Sequence, residues 1–218
     1  MQTAVKKIQM VDLVGQYEKI QAEIDNAILN VVRSAAFING PEVKAFQAEL
    51  EQYLGVKHVI PCGNGTDALQ IAMMALGLQA GDEVITADFT YAATAEVIAL
   101  LGLKPVLVDV YPGTFTLDIE AIKKAITPKT KAIVPVHLFG QCAEMSEIMA
   151  LSKEHGFYII EDVAQALGAD YTMPGGKRAK AGTIGHVGCT SFFPSKNLGC
   201  YGDGGAIATK DPEIARKV

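Results

Sequence analysis

Four short segments of this 218-residue chain carry residue types that could act together on one small ligand. The first, Lys57-His-Val-Ile-Pro-Cys-Gly-Asn-Gly-Thr-Asp-Ala-Leu69, runs from an apolar strand-like stretch through a glycine turn into a helical pattern. Free backbone amides at Gly65, Thr66 and Asp67, together with the helix dipole, would attract a phosphate there. The second is Phe157-Tyr-Ile-Ile-Glu161-Asp162, an apolar strand ending in two acids, with Gln165 three residues on. In an open parallel sheet ligands sit outside the carboxyl ends of strands, which puts Asp162 on the same edge as the glycine turn. The third is Thr190-Ser-Phe-Phe-Pro-Ser-Lys196, followed by a loop containing Gly199, Gly202, Gly204 and Gly205. Apolar neighbours Phe192, Phe193, Leu198 and Tyr201 would desolvate Lys196 and favour its neutral amine, while Ser191 offers a hydroxyl to a phosphate oxygen. The fourth is Asp88-Phe-Thr-Tyr91-Ala-Ala-Thr94, whose Tyr91 is placed to cover a planar ring.

Each feature alone has a plainer reading. The glycine turn is also an ordinary strand-to-helix turn, Asp162 a helix cap, Lys196 a solvated charge and Tyr91 a core residue. Formally, Gly63-x-Gly65-x-x-Ala68 fits the dinucleotide fingerprint G-x-G-x-x-G/A, with Asp82 or Glu83 as the ribose-binding acid of an NAD-type oxidoreductase. Taken together, however, a phosphate anchor, a strand-end acid and a desolvated lysine are the attachments that pyridoxal phosphate requires. The lysine forms a Schiff base, and the acid keeps the ring nitrogen protonated so that the ring serves as an electron sink.

The elements that must position these groups form a βα rhythm. Strands are expected at Lys57–Pro61, Glu83–Thr86, Pro105–Val110, Ala132–Val136, Phe157–Glu161, Val187–Phe192 and Ala206–Thr209. Helices are expected between most of them, at Thr66–Leu76, Ala92–Leu101, Asp118–Ile126 and Glu144–His155. Two more precede the first strand, at Gln16–Arg33 and from Pro41 to an exit at Gly55. Short strands that are apolar throughout imply an α/β fold whose mostly parallel sheet is covered on both faces. Residues 1–55 are expected to form an N-terminal helical segment and 56–218 a cofactor-binding large domain. Asp211 and Pro212 open a further helix, so the chain is expected to continue beyond Val218.

Composition narrows the class. Half the residues are hydrophobic, a fifth are charged, and 19 basic against 24 acidic side chains give a net charge of −5. That balance excludes low-complexity disorder and the concentrated basic patch of a nucleic-acid protein. The most apolar stretch, Val97–Leu103, stops at Lys104, and the N-terminus lacks a signal-peptide core, so neither membrane span nor export is expected. Cys62, Cys142, Cys189 and Cys200 form no C-x-x-C pair, and His58, His137, His155 and His186 lack ligand spacing. No metal site is expected, and the setting is a reducing cytoplasm.

Gly63-Asn-Gly-Thr-Asp-Ala-Leu69, Asp88-Phe-Thr-Tyr-Ala-Ala-Thr94, Glu161-Asp-Val-Ala-Gln165 and Ser191-Phe-Phe-Pro-Ser-Lys196 resemble, in order and spacing, the DegT/DnrJ/EryC1/StrS family of nucleotide-sugar aminotransferases. The likeness runs from about Asp12 to the end and is nearest to members that aminate C3 of a UDP-linked 3-keto-N-acetylglucosaminuronate. It implies a fold-type I (aspartate aminotransferase-like) large domain with about seven strands, and pyridoxal 5′-phosphate as cofactor. It further implies L-glutamate as donor, a keto sugar nucleotide as acceptor, a role in cell-surface polysaccharide or antigen biosynthesis, and a homodimer with shared active sites. By motif, Lys196 would be the Schiff-base lysine and proton shuttle, Asp162 the partner of the ring nitrogen, and Gln165 a contact of the ring 3-hydroxyl. Gly65, Thr66 and Ser191 would hold the phosphate, Tyr91 would stack on the ring, and Phe37 and Asn39 would touch the substrate. Members of this family carry a smaller C-terminal domain that this sequence lacks, so a fragment that binds cofactor or only dimerises is the alternative to a working enzyme.

Overall fold

The structure, a computed structural model, describes residues 8–218. By backbone contacts the chain divides into two compact units, one ending at Ala45 and the other running from Phe46 to Val218. In the first, α1 spans Leu13–Ser34 and begins three residues before the expected start, because the Asp12 carboxylate accepts the Gly15 N–H at 2.9 Å and caps the helix. Ile20 departs from helical geometry (φ −126°, ψ 17°), and none of the helix is buried. The next helix, α2 (Pro41–Leu54), starts at Pro41 as expected and crosses the boundary between the units.

From Phe46 onward strand and helix alternate: β1 (His58–Cys62), α3 (Gly65–Ala75), β2 (Glu83–Ala87), α4 (Ala93–Leu100), β3 (Lys104–Val108), α5 (Ile119–Ala125), β4 (Thr130–Val134), α6 (Met145–His155) and β5 (Tyr158–Asp162). A small hairpin follows, β6 (Asp170–Thr172) and β7 (Arg178–Lys180), then β8 (Val187–Ser191), β9 (Gly205–Thr209) and α7 (Pro212–Lys217). The seven expected strands pair into one sheet of order β1-β9-β8-β5-β4-β2-β3. The pairs from β8 to β3 are parallel, while β9 runs antiparallel to both β8 and β1.

Both faces of the sheet are covered, which is why its strands are apolar without alternation. Neighbouring residues on a strand point to opposite sides. Val84, Ala132, Val134 and Ile160 pack with Leu69, Met73, Val97 and Ile98 of α3 and α4, joined by Ile214 of α7. Ile85, Ile133 and Ile159 pack instead with Ile119 and Ile122 of α5 and Ile148 and Leu151 of α6. A smaller cluster joins Leu50 and Leu54 to Val59, Phe192, Ala206 and Ala208. Among the described residues no helix is long and apolar enough to cross a membrane, and all four cysteines are free thiols.

The hairpin β6–β7 and a short 3-10 turn at Leu138–Gly140 are additions to the expected elements. The hairpin lies just before a close approach: a β-carbon on Gly188 would sit 2.2 Å from the Gly182 carbonyl oxygen and 2.6 Å from its α-carbon. The Gly182 turn therefore lies directly on β8, and only a residue without a side chain fits. Gly188→Ala should lower unfolding free energy by about 1–3 kcal/mol, the usual cost of forced overpacking. Urea denaturation reads this, and a variant as stable as the parent would refute the contact.

Candidate active site

At the carboxyl edge of the parallel strands lies a cavity of about 480 Å³. Its walls include Asn64–Asp67 from the start of α3, Thr90 and Tyr91 after β2, Val136 after β4, Asp162 at the end of β5, and Ser191 at the end of β8. Gln165, Ser195, Lys196 and Asp203 complete the lining from adjoining loops. The structure thus gathers Gly65, Thr66, Tyr91, Asp162, Gln165, Ser191 and Lys196 from segments up to 131 residues apart in sequence onto one cavity, the volume of a small-ligand site. Phe37, exposed, and Asn39, with φ 49°, lie in the turn between α1 and α2 of the N-terminal unit and are not among this lining.

The start of α3 has the free amides and dipole end that suit an anion. Asn64 caps the helix by accepting the Asp67 N–H on Oδ1 at 2.8 Å, while its Nδ2 donates to Asp67 Oδ2 at 3.0 Å. This reciprocal cap occupies the third amide and leaves those of Gly65 and Thr66 at the positive end of the helix dipole. A β-carbon on Gly65 would approach Ser191 Cβ to 2.6 Å, so the helix start lies flush against the end of β8. Ser191 Oγ accepts the Phe193 N–H at 3.2 Å, which orients the hydroxyl-bearing oxygen beside those amides.

Asp162 is buried and held on every side. Its backbone N–H donates to Pro135 O at 2.9 Å and its carbonyl accepts from His137 N–H at 3.0 Å. Its Oδ1 accepts the Ala164 N–H at 3.1 Å and its Oδ2 the Thr94 hydroxyl at 3.0 Å. Burial pushes its pKa above the ordinary carboxylate value of 3.8. The hydrogen bonds from Ala164 and Thr94 and the nearby His137 and Lys196 oppose that rise.

Lys196 is only half-buried, and the apolar sheath expected from sequence is open: Phe193, Leu198 and Tyr201 are exposed and only Phe192 is buried. The reason lies in the path of the chain. Residues 192–204 form the return loop between antiparallel β8 and β9, and most of its side chains lie at the surface; Phe193 lines the cavity beside Lys196 but stays about half exposed. Gln165 Oε1 accepts the Phe139 N–H at 2.9 Å, which leaves its Nε2 hydrogens as the end available to a ligand. Tyr91 stands three-quarters exposed at the cavity mouth.

A dinucleotide site is incompatible with this topology. The fingerprint needs a parallel βαβ unit, whereas β1 pairs only with antiparallel β9 at the sheet edge. Asp82 and Glu83 lie at the opposite end of β2, where Glu83 accepts from Lys104 and Thr127.

Residues 18–218 match the model of the DegT/DnrJ/EryC1/StrS aminotransferase family. The chain belongs to this family. It is 52% identical over 211 residues to the UDP-2-acetamido-2-deoxy-3-oxo-D-glucuronate aminotransferase of Pseudomonas aeruginosa, covering 97% of this chain and 57% of the relative. Among solved structures it superposes on S. venezuelae DesV, in complex with a ketimine intermediate, with TM-score 0.91 and 42% identity, covering 97% of this chain and 56% of DesV. NtdA from Bacillus subtilis, with bound cofactor PMP, gives TM-score 0.89 and 33% identity, covering 99% and 48%. The chain spans about half the length of the relatives it matches.

Aminotransferases of the DegT/DnrJ/EryC1/StrS family use pyridoxal phosphate, and this cavity fits that group. The start of α3, the buried acid and the amine of Lys196 share one wall system, and Thr90 Oγ1, buried in the lining, has no hydrogen-bond partner among the described residues. Residues that motif reading left without a role also belong to the site: Asn64 as cap, Thr94 on the acid, and Ser195 and Asp203 in the lining. Asn64 and Asp67, three apart ahead of an apolar run, carried a capping signal. Thr94 carried none, because its partner is 68 residues away.

Asp162→Asn should raise the stability of the cofactor-free chain at neutral pH. With the folded pKa above 3.8, the folded state binds more protons than the unfolded state between those two values, so stability falls as pH rises through that window. Below it the carboxyl is neutral and the two proteins converge. Urea unfolding at neutral and acid pH checks this; an asparagine variant that is less stable at neutral pH would overturn the assignment of burial as the dominant influence.

Proposed function

We propose that the protein is a pyridoxal phosphate-dependent nucleotide-sugar aminotransferase of the DegT/DnrJ/EryC1/StrS family, with residues 56–218 as its cofactor-binding domain and 1–55 as an N-terminal helical segment. The observation that carries this reading is the meeting of Lys196, Asp162 and the start of α3 on one cavity. When bound, the pyridoxal group supplies an electron sink for the charge that develops at the reacting carbon. Gly65 and Thr66 amides and the Ser191 hydroxyl hold the phosphate. Asp162 would pair with the ring nitrogen, Gln165 would donate to the ring oxygen, and Tyr91 would cover the ring.

Lys196 Nζ is the covalent anchor and the general acid/base. Released from its anchoring role, it takes a proton from the α-carbon of the amino donor and returns one to the carbon that receives the amine. The same exchange run in reverse aminates the acceptor. L-glutamate is the donor, and the Pseudomonas relative's name supports a UDP-linked 3-keto sugar as acceptor, in cell-surface polysaccharide or antigen biosynthesis. Phe37 and Asn39 are proposed substrate contacts, the assembly a homodimer sharing its active sites, and the compartment the cytoplasm.

The share of its relatives that the chain spans supports a second reading, in which this chain binds the cofactor, or only dimerises, without completing the transfer. One sequence of experiments separates the two. Incubation with pyridoxal phosphate, reduction with borohydride and peptide mapping should place the label on Lys196, and Lys196→Ala should abolish it. In a separate, unreduced sample loaded with pyridoxal phosphate, L-glutamate should release 2-oxoglutarate and change the visible absorbance, and a UDP-3-keto sugar should restore it. Labelling elsewhere, or nowhere, sinks the cofactor assignment; labelling at Lys196 without product favours the second reading.

A further inference from the structure

We propose that Thr94 is a positioning residue: its hydroxyl fixes the Asp162 carboxylate in the orientation and charge state needed to pair with a ring nitrogen. This inference rests on the cofactor reading above. Thr94 stands in the first turn of α4, is 1% exposed and is absent from the cavity lining, so contact with substrate is not its role. Its Oγ1 lies 3.0 Å from Asp162 Oδ2 and is the only side-chain hydrogen bond to that carboxylate among the described residues.

The rest of Asp162 is placed without it. The backbone is fixed by Pro135 and His137 on one side, and Val163 N–H donates to Cys189 O on the other. Oδ1 is fixed by the Ala164 amide, two residues along. What remains for Thr94 is the tilt of the carboxylate plane and its electrostatics. Both oxygens receive donors, Ala164 on one and Thr94 on the other, an arrangement that suits an ionised acid. Burial works against that ionised form. The charged or titratable groups near the carboxylate among the described residues are His137, Lys196 and the buried thiol of Cys189, and adjacent Glu161 engages other partners. A neutral acid would give the ring nitrogen no counter-ion, and the ring would lose its strength as an electron sink. Tyr91 precedes Thr94 by three residues, so one short segment supplies both the aromatic at the cavity mouth and the bond that orients the acid.

The test uses the full chain loaded with pyridoxal phosphate carrying 15N at the ring nitrogen, whose chemical shift reports protonation there. Wild type and Thr94→Ser, which keeps the hydroxyl, should show the same ring-nitrogen titration. Thr94→Val, which keeps the shape, should lower the apparent ring-nitrogen pKa by about one unit, the size of one charge-assisted hydrogen bond. If the valine variant does not fold, Thr94→Ala provides the same contrast with serine. A valine or alanine variant that folds and titrates like wild type overturns the inference, whatever its thermal stability. Failure of wild type itself to bind the labelled cofactor at Lys196 overturns the cofactor reading and this inference with it.

Discussion

An acid held out of water at the end of a strand sets the terms for the rest of this fold. Burying an ionisable carboxyl costs several kcal/mol unless donors are supplied; two parts of the chain supply them to the carboxylate, and two more hold the backbone that carries it. Pro135 and His137 fix the backbone of Asp162 from beyond β4. Cys189 of β8 holds the next residue on the opposite flank, while Ala164 and Thr94 take one oxygen each. The order of the sheet fills both flanks, since β5 lies between β4 and β8.

The single antiparallel strand solves a second problem. A parallel crossover after β8 would carry the chain back over one face of the sheet to restart at the far edge. Because β9 instead runs antiparallel to β8, residues 192–204 stay at the carboxyl edge as a return loop, and Lys196 stays with them. The same pairing places β1 at the sheet edge beside β9 and brings the glycine turn after β1 against Ser191. Thus the start of α3, the amine and the acid meet at one edge of the sheet.

Much of this was legible in the sequence, and the limits have physical causes. All seven sheet strands were marked by short apolar, β-branched runs and the intervening helices by helical periodicity, because strands buried on both faces carry that signature. The hairpin β6–β7 escaped because its three-residue strands, Asp170–Thr172 and Arg178–Lys180, are polar and partly exposed. The surroundings of Lys196 were misjudged for a related reason: on a surface return loop apolar side chains stay partly in solvent, and Phe193, Leu198 and Tyr201 each keep about half of their surface exposed. Motifs located the chemistry; they did not locate Thr94 or His137, whose partners come from distant strands.

The two acids at the end of β5 show why residue type alone cannot assign a role. Consecutive strand residues face opposite sides of the sheet, and the sides differ. Glu161, fully buried, accepts four donors: the amides of Gly182, Ile184 and Gly185, and Nε2 of His137 at 2.9 Å. His137 Nδ1 accepts the Ala143 N–H, which leaves the ring proton on Nε2 and makes it the donor to Glu161. That network is closed: its acid is satisfied by the protein alone, and its work is to lock the turn at 182–185 onto β5. Asp162 receives only two donors at its carboxylate and borders the cavity. Of two neighbouring buried acids, the one left incompletely satisfied is the one with capacity for a ligand, and the satisfied one is what keeps it in place.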